Sequence, residues 1–386
     1  MDMKKLQQHL TDLRRDIHAH PETAFEEVRT AGIVAEELRR LGLDVHTGIG
    51  KTGIVANLKV GDGNKVVGLR ADMDAIAIND KGEHDHISTV PGKMHGCGHD
   101  GHTITLLGAA MLLAERKDFN GTVRFIFQPA EEPGKGAQAM IDDGLFERFP
   151  VDEIYGLHNL PNLPFGTINT CAGGMLASED NFTIKITGKG GHASAPQVLI
   201  DPLVVASTIV LSLQTIVARS INPAHAAVVS VTEFETDGGH NAIPTHVELR
   251  GDTRTYWMED SALIEKRMRE ICESACAMYG AECEFRYTHE FYPTRNHEEC
   301  VRKAVQAAKT VFGPDKVNDK AEPVTASEDF ATFLQHVPGC YVTLGTARTE
   351  DLSSDPPTHN AAYDYNDDAL IVGAEFWAEL VKELLV

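Results

Sequence analysis

The sequence predicts an α/β protein in which a mostly parallel sheet is flanked by helices and interrupted by a smaller α+β domain. Segments 66–69, 122–127 and 153–157 have the apolar composition of buried strands, and helical segments lie between them, near 102–116 and 134–145. Such alternation is typical of a parallel sheet with helices on both faces. From about residue 180 the pattern changes, which indicates a second domain.

Two helices precede the first of these strands. Apolar residues recur at helical spacing over 6–17. Thr23 and Glu26 match a capping box, which would open the second helix. Gly42 would end that helix, because glycine readily adopts the left-handed conformation found at helix C-termini.

The segment from 180 to 290 is predicted to be an inserted domain. Its first strand alternates apolar and polar residues, as a strand exposed on one face does. The expected elements are a strand at 182–187, a long apolar helix at 201–219, strands near 226–235 and 245–252, a helix at 260–279 and a strand at 282–289. After Pro293 the alternation of helices and strands resumes. We therefore predict one domain from 1–179 and 291–386, with 180–290 inserted as a small α+β sandwich.

The composition excludes several classes of partner. The 386 residues carry 35 lysines and arginines against 57 aspartates and glutamates, a formal net charge of −22. Such a chain lacks the basic face that nucleic acid needs. We find no run of about 18 apolar residues of the kind that spans a membrane. The seven cysteines are odd in number and form no CxxC pair, so we expect a reducing, cytoplasmic compartment.

The strongest chemical signal is the segment 95–102, which reads His-Gly-Cys-Gly-His-Asp-Gly-His. Glycines let the chain fold tightly around a small object, and a thiolate and an imidazole at Cys97 and His99 suit a transition metal. A glycine- and histidine-rich surface loop is the plainer alternative. A Cys–His nucleophilic pair is a weaker one, since residues two apart rarely face each other.

Two adjacent carboxylates, Glu131 and Glu132, follow the apolar strand at 122–127. One can bind a metal while the other accepts the proton of a metal-bound water, because divalent metals lower the pKa of that water. A solvated acidic turn is the commoner role of such a pair.

Further polar side chains follow other strands of the predicted sheet. His158 follows the third buried strand, and Asp72 and Asp74 follow the first. Because ligands of open α/β sheets bind beyond the carboxyl ends of the strands, we expect these segments to converge at one edge. A lone histidine at such a place is otherwise more often structural. His359 lies in another candidate segment, 357–360, but spacing alone does not show which way this segment points.

In these segments the chain resembles a family of co-catalytic metallo-amidohydrolases that includes aminoacylases, hippurate hydrolases, carboxypeptidase G and plant auxin-conjugate hydrolases. The resemblance is strongest to the hippurate-hydrolase and auxin-conjugate-hydrolase branch, and it covers essentially the whole chain in one order. The matching segments are 14–22, 69–75, 95–102, 131–132, 188–193, 241–244, 327–330 and 359–360.

The resemblance implies a zinc-peptidase-like catalytic domain that holds two divalent metal ions, which could be Zn, Mn, Co or Ni. Cys97 would bridge the two ions, Glu131 would be the general base and later the acid, and Asp74 would hold a metal ligand in position. The terminal metal ligands would be His99, Glu132, His158 and His359.

The implied reaction is hydrolysis of the amide bond of a hippurate-like or N-acetylated amino acid, which releases a carboxylate and the free amino acid. Two alternatives stay open: a dipeptidase or carboxypeptidase of the same family, and a non-catalytic relative that binds metal and conjugates. Relatives commonly have Leu-Pro where this chain has Ile76 and Ala77, a departure that bears on substrate fit rather than on metal binding.

The inserted domain would serve as a lid and as a dimerisation surface. The helix at 201–219 is apolar over more than one face, which leaves surface for a partner, and relatives dimerise through this domain. The resemblance implies that His192 stabilises an oxyanion from the second subunit and that Asn241 assists it. Arg254 is a candidate for binding the substrate carboxylate, because guanidinium groups suit carboxylates. A salt bridge on a strand is the alternative role of Arg254.

Overall fold

The computed structural model describes residues 2–385, which form two compact units. The larger unit comprises the chain up to Met175, Arg295–Glu322 and the chain from Glu328, and the smaller comprises Leu176–Thr294 and Pro323–Ser327. The expected boundaries at 180 and 290 lie close to these. The sequence prediction left 323–327 in the larger domain, whereas the structure places it in the smaller unit, where Ala177 N donates to Ala326 O at 2.9 Å.

The chain enters the smaller unit at Leu176, leaves it after Thr294 and re-enters it briefly at Pro323–Ser327. The elements before the insertion are α1 (Met3–Ala19), α2 (Val28–Arg40), β1 (Asp44–Ile49), β2 (Gly53–Val60), β3 (Val66–Asp72), α3 (His99–Arg116), β4 (Gly121–Gln128), α4 (Gly136–Asp142), α5 (Leu145–Arg148), β5 (Glu153–Leu160), β6 (Ile168–Asn169) and β7 (Gly173–Leu176). Those of the insertion are β8 (Glu179–Thr187), β9 (Gly191–His192), α6 (Pro202–Arg219), β10 (Ala227–Thr236), β11 (Ala242–Ile243), β12 (His246–Thr255), α7 (Met258–Tyr279) and β13 (Glu282–Phe291). Those of the return are β14 (Thr294–Asn296), α8 (Glu298–Phe312), β15 (Val317–Asn318), α9 (Phe330–Leu334), β16 (Gly339–Gly345) and α10 (Asp368–Leu384).

The larger unit is organised around an eight-stranded sheet in the order β1-β2-β4-β3-β5-β16-β6-β15. Its four middle strands, β4, β3, β5 and β16, run parallel, which confirms the predicted fold class. The antiparallel pairing of β1 with β2, and of β2 with β4, is an edge that the sequence analysis did not identify. Because β4, β3 and β5 are adjacent and parallel, the loops after their carboxyl ends meet at one edge of the sheet.

The start of α2 differs from the predicted capping box. Thr23 Oγ1 donates to Glu26 Oε2 at 2.9 Å instead of capping the helix. The carboxylate of Glu22 accepts hydrogen bonds from the backbone nitrogens of Arg29 at 2.9 Å and Thr30 at 2.8 Å. A carboxylate that satisfies the first backbone nitrogens of a helix also complements its dipole, so a more distant glutamate does the capping.

The smaller unit is an antiparallel sheet in the order β10-β12-β8-β13, with α6 and α7 packed on it. From the sequence we expected no membrane-spanning segment. The 18 residues of α6, however, have a mean hydropathy of 1.6, so the helix passes a test for membrane spans that is based on length and composition alone. Its buried side chains, which include Val205, Ile209 and Leu213, belong to the core of this unit. A core helix satisfies the same test, so α6 is weak evidence for a membrane span.

Two glycines provide a matched test of packing. A Cβ on Gly136, at the start of α4, would lie 1.5 Å from the backbone oxygen of Pro129, whereas Gly32 in α2 has nothing within 4 Å. Gly136→Ala should lower the free energy of unfolding by at least about 1–3 kcal/mol, the usual cost of overpacking. Gly32→Ala should raise it by about 0.5–1 kcal/mol, since alanine favours the helix. Urea unfolding measures both changes, and equal stability of the two variants would contradict the packing described.

Candidate metal centre

Polar side chains from separate segments of the larger unit meet beyond the carboxyl ends of β3, β4 and β5. Cys97 and His99 stand at the N-terminus of α3, and Glu131 and Glu132 lie in the turn that follows β4. His158 lies within β5, which extends to Leu160, and not after the strand as the sequence analysis expected. The position of each side chain is therefore set by an adjoining helix or strand.

The thiol of Cys97 is shared by two groups of potential ligands. Its Sγ lies 3.4 Å from His158 Nε2 and 3.3 Å from His359 Nε2. Glu132 Oε1 lies 3.4 Å from His359 Nε2 and 3.9 Å from His99 Nε2. Two triads whose ligand atoms lie within 4.8 Å of one another therefore have Cys97 in common; they are Cys97, His99 and His158, and Cys97, Glu132 and His359.

The backbone aims two of these imidazoles. His158 Nδ1 donates to the backbone oxygen of Asn159 at 2.7 Å, which leaves Nε2 available to the centre. His359 has a φ of 66°, unusual for a residue other than glycine, and its backbone nitrogen donates to Gly96 O at 2.7 Å. The loop before α10 is thereby tied to the loop before α3. This contact helps to orient the His359 side chain toward Cys97, an orientation that sequence spacing alone could not predict.

Asp74 connects the two sides of the centre. Its backbone oxygen accepts a hydrogen bond from His99 Nδ1 at 2.9 Å, so that His99 Nε2 faces the site. Its carboxylate accepts from the backbone nitrogens of Glu131 at 3.0 Å and Glu132 at 3.1 Å. Partners of this kind fix the ring orientation and the tautomer of metal-binding histidines.

The donor atoms fit divalent transition metal ions. Within residues 2–385, His99 Nε2 and Glu132 Oε1 are buried and have no hydrogen-bond partner. Buried polar atoms are normally paired, so an unpaired imidazole nitrogen and an unpaired carboxylate oxygen facing each other indicate a site for a cation. A thiolate combined with imidazoles and carboxylates suits Zn²⁺ and ions of similar softness. The larger unit therefore contains a candidate metal site.

The surroundings shift the proton affinities of these groups. Burial raises the pKa of the Cys97 thiol to about 12. Burial, reinforced by the charges of Glu328 and Asp329, raises the pKa of Glu131 well above its usual range. Burial holds the pKa of His158 well below its usual range, so its imidazole is neutral, as a ligand must be. Because a thiol binds metal as a thiolate, a metal ion bound by Cys97 would release a proton.

A buried ionic network supports the turn after β4, and the sequence analysis gave no role to it. Arg70 donates to Asp72 Oδ2 at 2.8 Å, to Glu328 Oε1 at 2.9 Å and to Asp329 Oδ1 at 3.2 Å. Gln128, the last residue of β4, donates to Asp329 Oδ1 at 2.6 Å. Segment 327–330 was matched in the resemblance, but Arg70 and Glu328 lie 258 positions apart, so only the fold shows that they are partners.

A pocket of about 440 Å³ opens beside the candidate metal centre. Its lining includes Ile76 and Ala77, the two positions where this chain departs from the common Leu-Pro. The remaining lining residues are Thr23, Ala24, Ala75, Ile78, Glu132, Pro133 and His359. The pocket thus combines a mostly small and apolar wall with two side chains of the centre.

The smaller unit brings His192 and Asn241 together. Strands β9 and β11 pair His192 with Ala242, and the backbone nitrogen of Ala193 donates to Asn241 O at 3.0 Å. His192 Nδ1 accepts a hydrogen bond from the backbone nitrogen of Ser194 at 3.1 Å. In a neutral imidazole the proton must then reside on Nε2, so that Nε2 is a donor.

Arg254 is engaged within the smaller unit. Its guanidinium forms ion pairs with Glu179 at 2.9 Å and Asp252 at 2.5 Å, and it donates to Ser327 Oγ at 2.8 Å. Of the two roles considered from the sequence, this geometry favours the salt bridge. Two carboxylates already neutralise the cation, which argues against the predicted role as the substrate-carboxylate binder.

The whole chain has close relatives. The model of peptidase family M20/M25/M40 matches residues 68–383. The chain belongs to this family. Relatives that align over nearly their full length are an N-acetylcysteine deacetylase of Bacillus subtilis (37% identical, 97% of this chain and 97% of the relative), a hippurate hydrolase of Campylobacter jejuni (37%, 98% and 97%) and thermostable carboxypeptidase 2 of Saccharolobus solfataricus (38%, 97% and 94%).

Among solved structures, a Bacillus subtilis protein described as a dinuclear metal-binding peptidase of family M20 superposes with a TM-score of 0.85 at 35% identity, over 99% of both chains. The resemblance to the family of aminoacylases and hippurate hydrolases is confirmed, and so is the prediction that the chain is a hydrolase.

Asp74 provides a test of how the centre is held together. Asp74→Ala removes the acceptor for two backbone nitrogens of the turn after β4 and should lower the affinity for Zn²⁺ by about 10- to 100-fold, as losing a partner of the ligands usually does. Competition with a chromogenic chelator measures this affinity. Asp62→Ala, at an exposed position, is the control. Equal affinity in both variants would show that Asp74 does not organise the ligands.

Proposed function

We propose that this M20 member is a two-metal amidohydrolase that cleaves N-acyl amino acids and releases a carboxylate and the free amino acid. The observation that carries the proposal is the thiol of Cys97, shared by two triads, with the carboxylate of Glu131 next to them. Glu131 Oε2 lies 3.9 Å from His99 Nε2. A non-catalytic binder would have no use for an additional carboxylate at this position. The deacetylase and hippurate hydrolase named among the relatives support the substrate class.

The proposed ligands are Cys97 as the bridge and His99, Glu132, His158 and His359 as terminal ligands. Zn, Mn, Co or Ni ions bound there would lower the pKa of a water molecule and polarise the acyl carbonyl. Glu131 accepts the proton of the attacking water and returns it to the leaving nitrogen. The raised pKa of its buried carboxyl suits a group that must hold a proton between these two steps.

We also propose that the smaller unit acts as a lid and supplies an oxyanion donor. His192 Nε2 carries a proton because Nδ1 accepts from Ser194, and an N–H donor is what a developing oxyanion requires. His192 and Asn241 are both exposed, so neither is committed to the core of its unit. We propose that His192 stabilises the oxyanion in the site of the second subunit and that Asn241 assists it there.

A homodimer would use the exposed face of α6. Leu211 is 73% exposed and Val204 is 48% exposed, although both belong to an apolar helix whose opposite face is in the core. Exposed apolar side chains in such a row are typical of a surface that binds a partner. The acidic charge argues against nucleic acid as a partner, and seven free cysteines fit a reducing cytoplasm.

A carboxypeptidase is the second candidate, because a thermostable carboxypeptidase is among the relatives at 38% identity. It would use the same metal ligands and the same base, and it would differ only in whether an acyl group or an amino-acid residue occupies the pocket. The geometry of the ligands does not separate the two activities, whereas a substrate panel does.

The activity is tested with metal-loaded protein, hippurate, N-acetyl amino acids and matched dipeptides. We expect the N-acyl substrates to be hydrolysed faster, as measured by the amino acid released.

Glu131→Gln should keep the metal content and lose turnover by about 100- to 10,000-fold, the usual contribution of a general base. Glu132→Gln should instead lower the metal content. A metal-loaded Glu131→Gln protein with full activity would contradict these roles, and faster cleavage of dipeptides would favour the carboxypeptidase.

The oxyanion role predicts that His192→Ala lowers kcat by about 100- to 1,000-fold while the metal content stays unchanged. His240→Ala, at an exposed histidine next to Asn241, is the control. Mixing inactive His192→Ala with inactive Glu131→Gln protein and allowing subunits to exchange should restore activity, since mixed dimers contain one site without either defect. If exchange is demonstrated and no activity returns, His192 does not act across a dimer.

A further inference from the structure

A second cluster of histidines and carboxylates lies in the larger unit, apart from the ligands discussed so far. It is formed by α1, by the loop between β3 and α3, and by the segment before α10. We call it the histidine cluster, and its members are His18, Asp80, His84, His86 and Asp364. None of these residues has a role in the proposed hydrolysis.

His18 is fully buried and held in one orientation. Its Nδ1 donates to Asp100 Oδ2 at 2.8 Å. Its Nε2 lies 3.5 Å from Asp80 Oδ2 and, among the described residues, has no hydrogen-bond partner. A carboxylate that fixes one nitrogen of an imidazole while the other nitrogen is left without a hydrogen bond is the arrangement found behind metal-binding histidines.

His84 faces the same point. Neither of its ring nitrogens has a hydrogen-bond partner in the part of the chain described, and its ring centroid lies 5.1 Å from that of His18. Burial lowers the pKa of His84, which keeps its imidazole in the neutral, ligating form. One ligand atom each of His18, His84 and Asp364 lies within 4.8 Å of the others. Because buried polar atoms are normally paired, this geometry indicates a missing partner.

The loop is shaped to present these side chains. Asp80 accepts hydrogen bonds from the backbone nitrogens of Gly82 at 2.8 Å and Ser88 at 2.9 Å, so its carboxylate sits inside a turn. His86 stacks on His84 with ring centroids 4.0 Å apart. Two histidines and a carboxylate are thereby brought within a short stretch of chain, next to a buried histidine from α1.

Charges of both signs surround the histidine cluster, and its two arginines are both paired with Asp364. Arg14 and Arg348 donate to Asp364 at 2.7 Å and 2.8 Å, and Arg14 also donates to Asp367 at 2.7 Å. Asp80 and Asp100 add two further negative charges beside His18. Although burial alone would lower the pKa of His18, these carboxylates raise it to about 9. The same field attracts a divalent ion, which would displace the proton from Nε2.

We propose that the histidine cluster binds one divalent transition metal ion such as Zn²⁺, through His18 Nε2, a nitrogen of His84 and a carboxylate oxygen of Asp364, with Asp80 and His86 alongside. Imidazole and carboxylate ligands are those that Zn²⁺ takes in proteins. The ion would join α1 and the segment before α10 to the loop that continues from the pocket wall at 76–78. Its role is structural, and it is independent of the proposed hydrolysis.

The test uses the full chain with the candidate metal centre disabled by Cys97→Ser and His359→Ala together. After treatment with a chelator, loading with Zn²⁺ and desalting, elemental analysis should find about one ion per chain in this background. Adding His84→Ala should remove it, because His84 is a ligand, whereas adding Asp85→Ala, an exposed neighbour in the same loop, should not. Zn²⁺ should also raise the Tm of the background protein and have no such effect once His84 is replaced.

His84 is only half-buried, so its replacement leaves the core intact, which far-ultraviolet circular dichroism verifies. A background protein that retains no Zn²⁺ would overturn the proposal, and so would a His84→Ala variant that retains as much as its parent. Loss of hydrolysis in the background protein with one ion retained would separate this site from the proposed function. Wild-type protein should carry one ion more per chain than its His84→Ala variant.

Discussion

The two-sided hydrogen bonding of Asp74 is the constraint on which the candidate metal centre depends. The residue lies just beyond β3, which ends at Asp72. Its carbonyl oxygen orients His99, and its carboxylate holds the backbone of Glu131 and Glu132. Adjacent parallel strands bring these groups within reach, since β3 pairs with β4 along its whole length. A buried carboxylate that is satisfied by two backbone donors has little freedom to move. The spacing between the candidate ligands on α3 and those in the turn after β4 is therefore set by the protein itself.

The network around Arg70 extends this constraint into the core. A fully buried guanidinium is stable only when its donors are paired, and here Asp72, Gln128, Glu328 and Asp329 surround it. The network joins the ends of β3 and β4 to the segment before α9. It also places two carboxylates near Glu131, and their charges add to the burial that raises the pKa of its carboxyl. The same residues thus support the turn after β4 and raise the pKa of Glu131.

The fold class and the location of the site could be predicted from the sequence because both depend on local patterns. Apolar runs marked the buried strands, and the polar residues after them lie where the carboxyl ends of those strands converge. The β1–β2 edge was missed although β2 has a buried apolar run at 54–56, because a run this short does not by itself distinguish a strand from a helical segment. The cap of α2 was assigned to Thr23, whereas the carboxylate of Glu22 accepts the hydrogen bonds, because the backbone conformation between this segment and the helix cannot be deduced from the capping-box pattern.

Other features depend on contacts between distant parts of the chain, which spacing does not reveal. From the sequence, Arg254 could be either a free cation or part of an ion pair. Only the folded strands beside it bring Glu179 and Asp252 to its guanidinium. The histidine cluster joins residues from near both ends of the chain and from one loop. The resemblance to a family, rather than periodicity or spacing, indicated the metal ligand set and the role of Glu131.

Anomalous diffraction from crystals of the Zn²⁺-loaded protein would test the central claim most directly, namely that Cys97 bridges two ions. We expect two anomalous peaks roughly 3.5–4 Å apart, each about 2.3 Å from Cys97 Sγ. One peak should adjoin His99 and His158, and the other should adjoin Glu132 and His359. A single peak at this centre, or two peaks that do not both contact the sulfur, would contradict the bridging thiolate and with it the proposed two-metal hydrolysis.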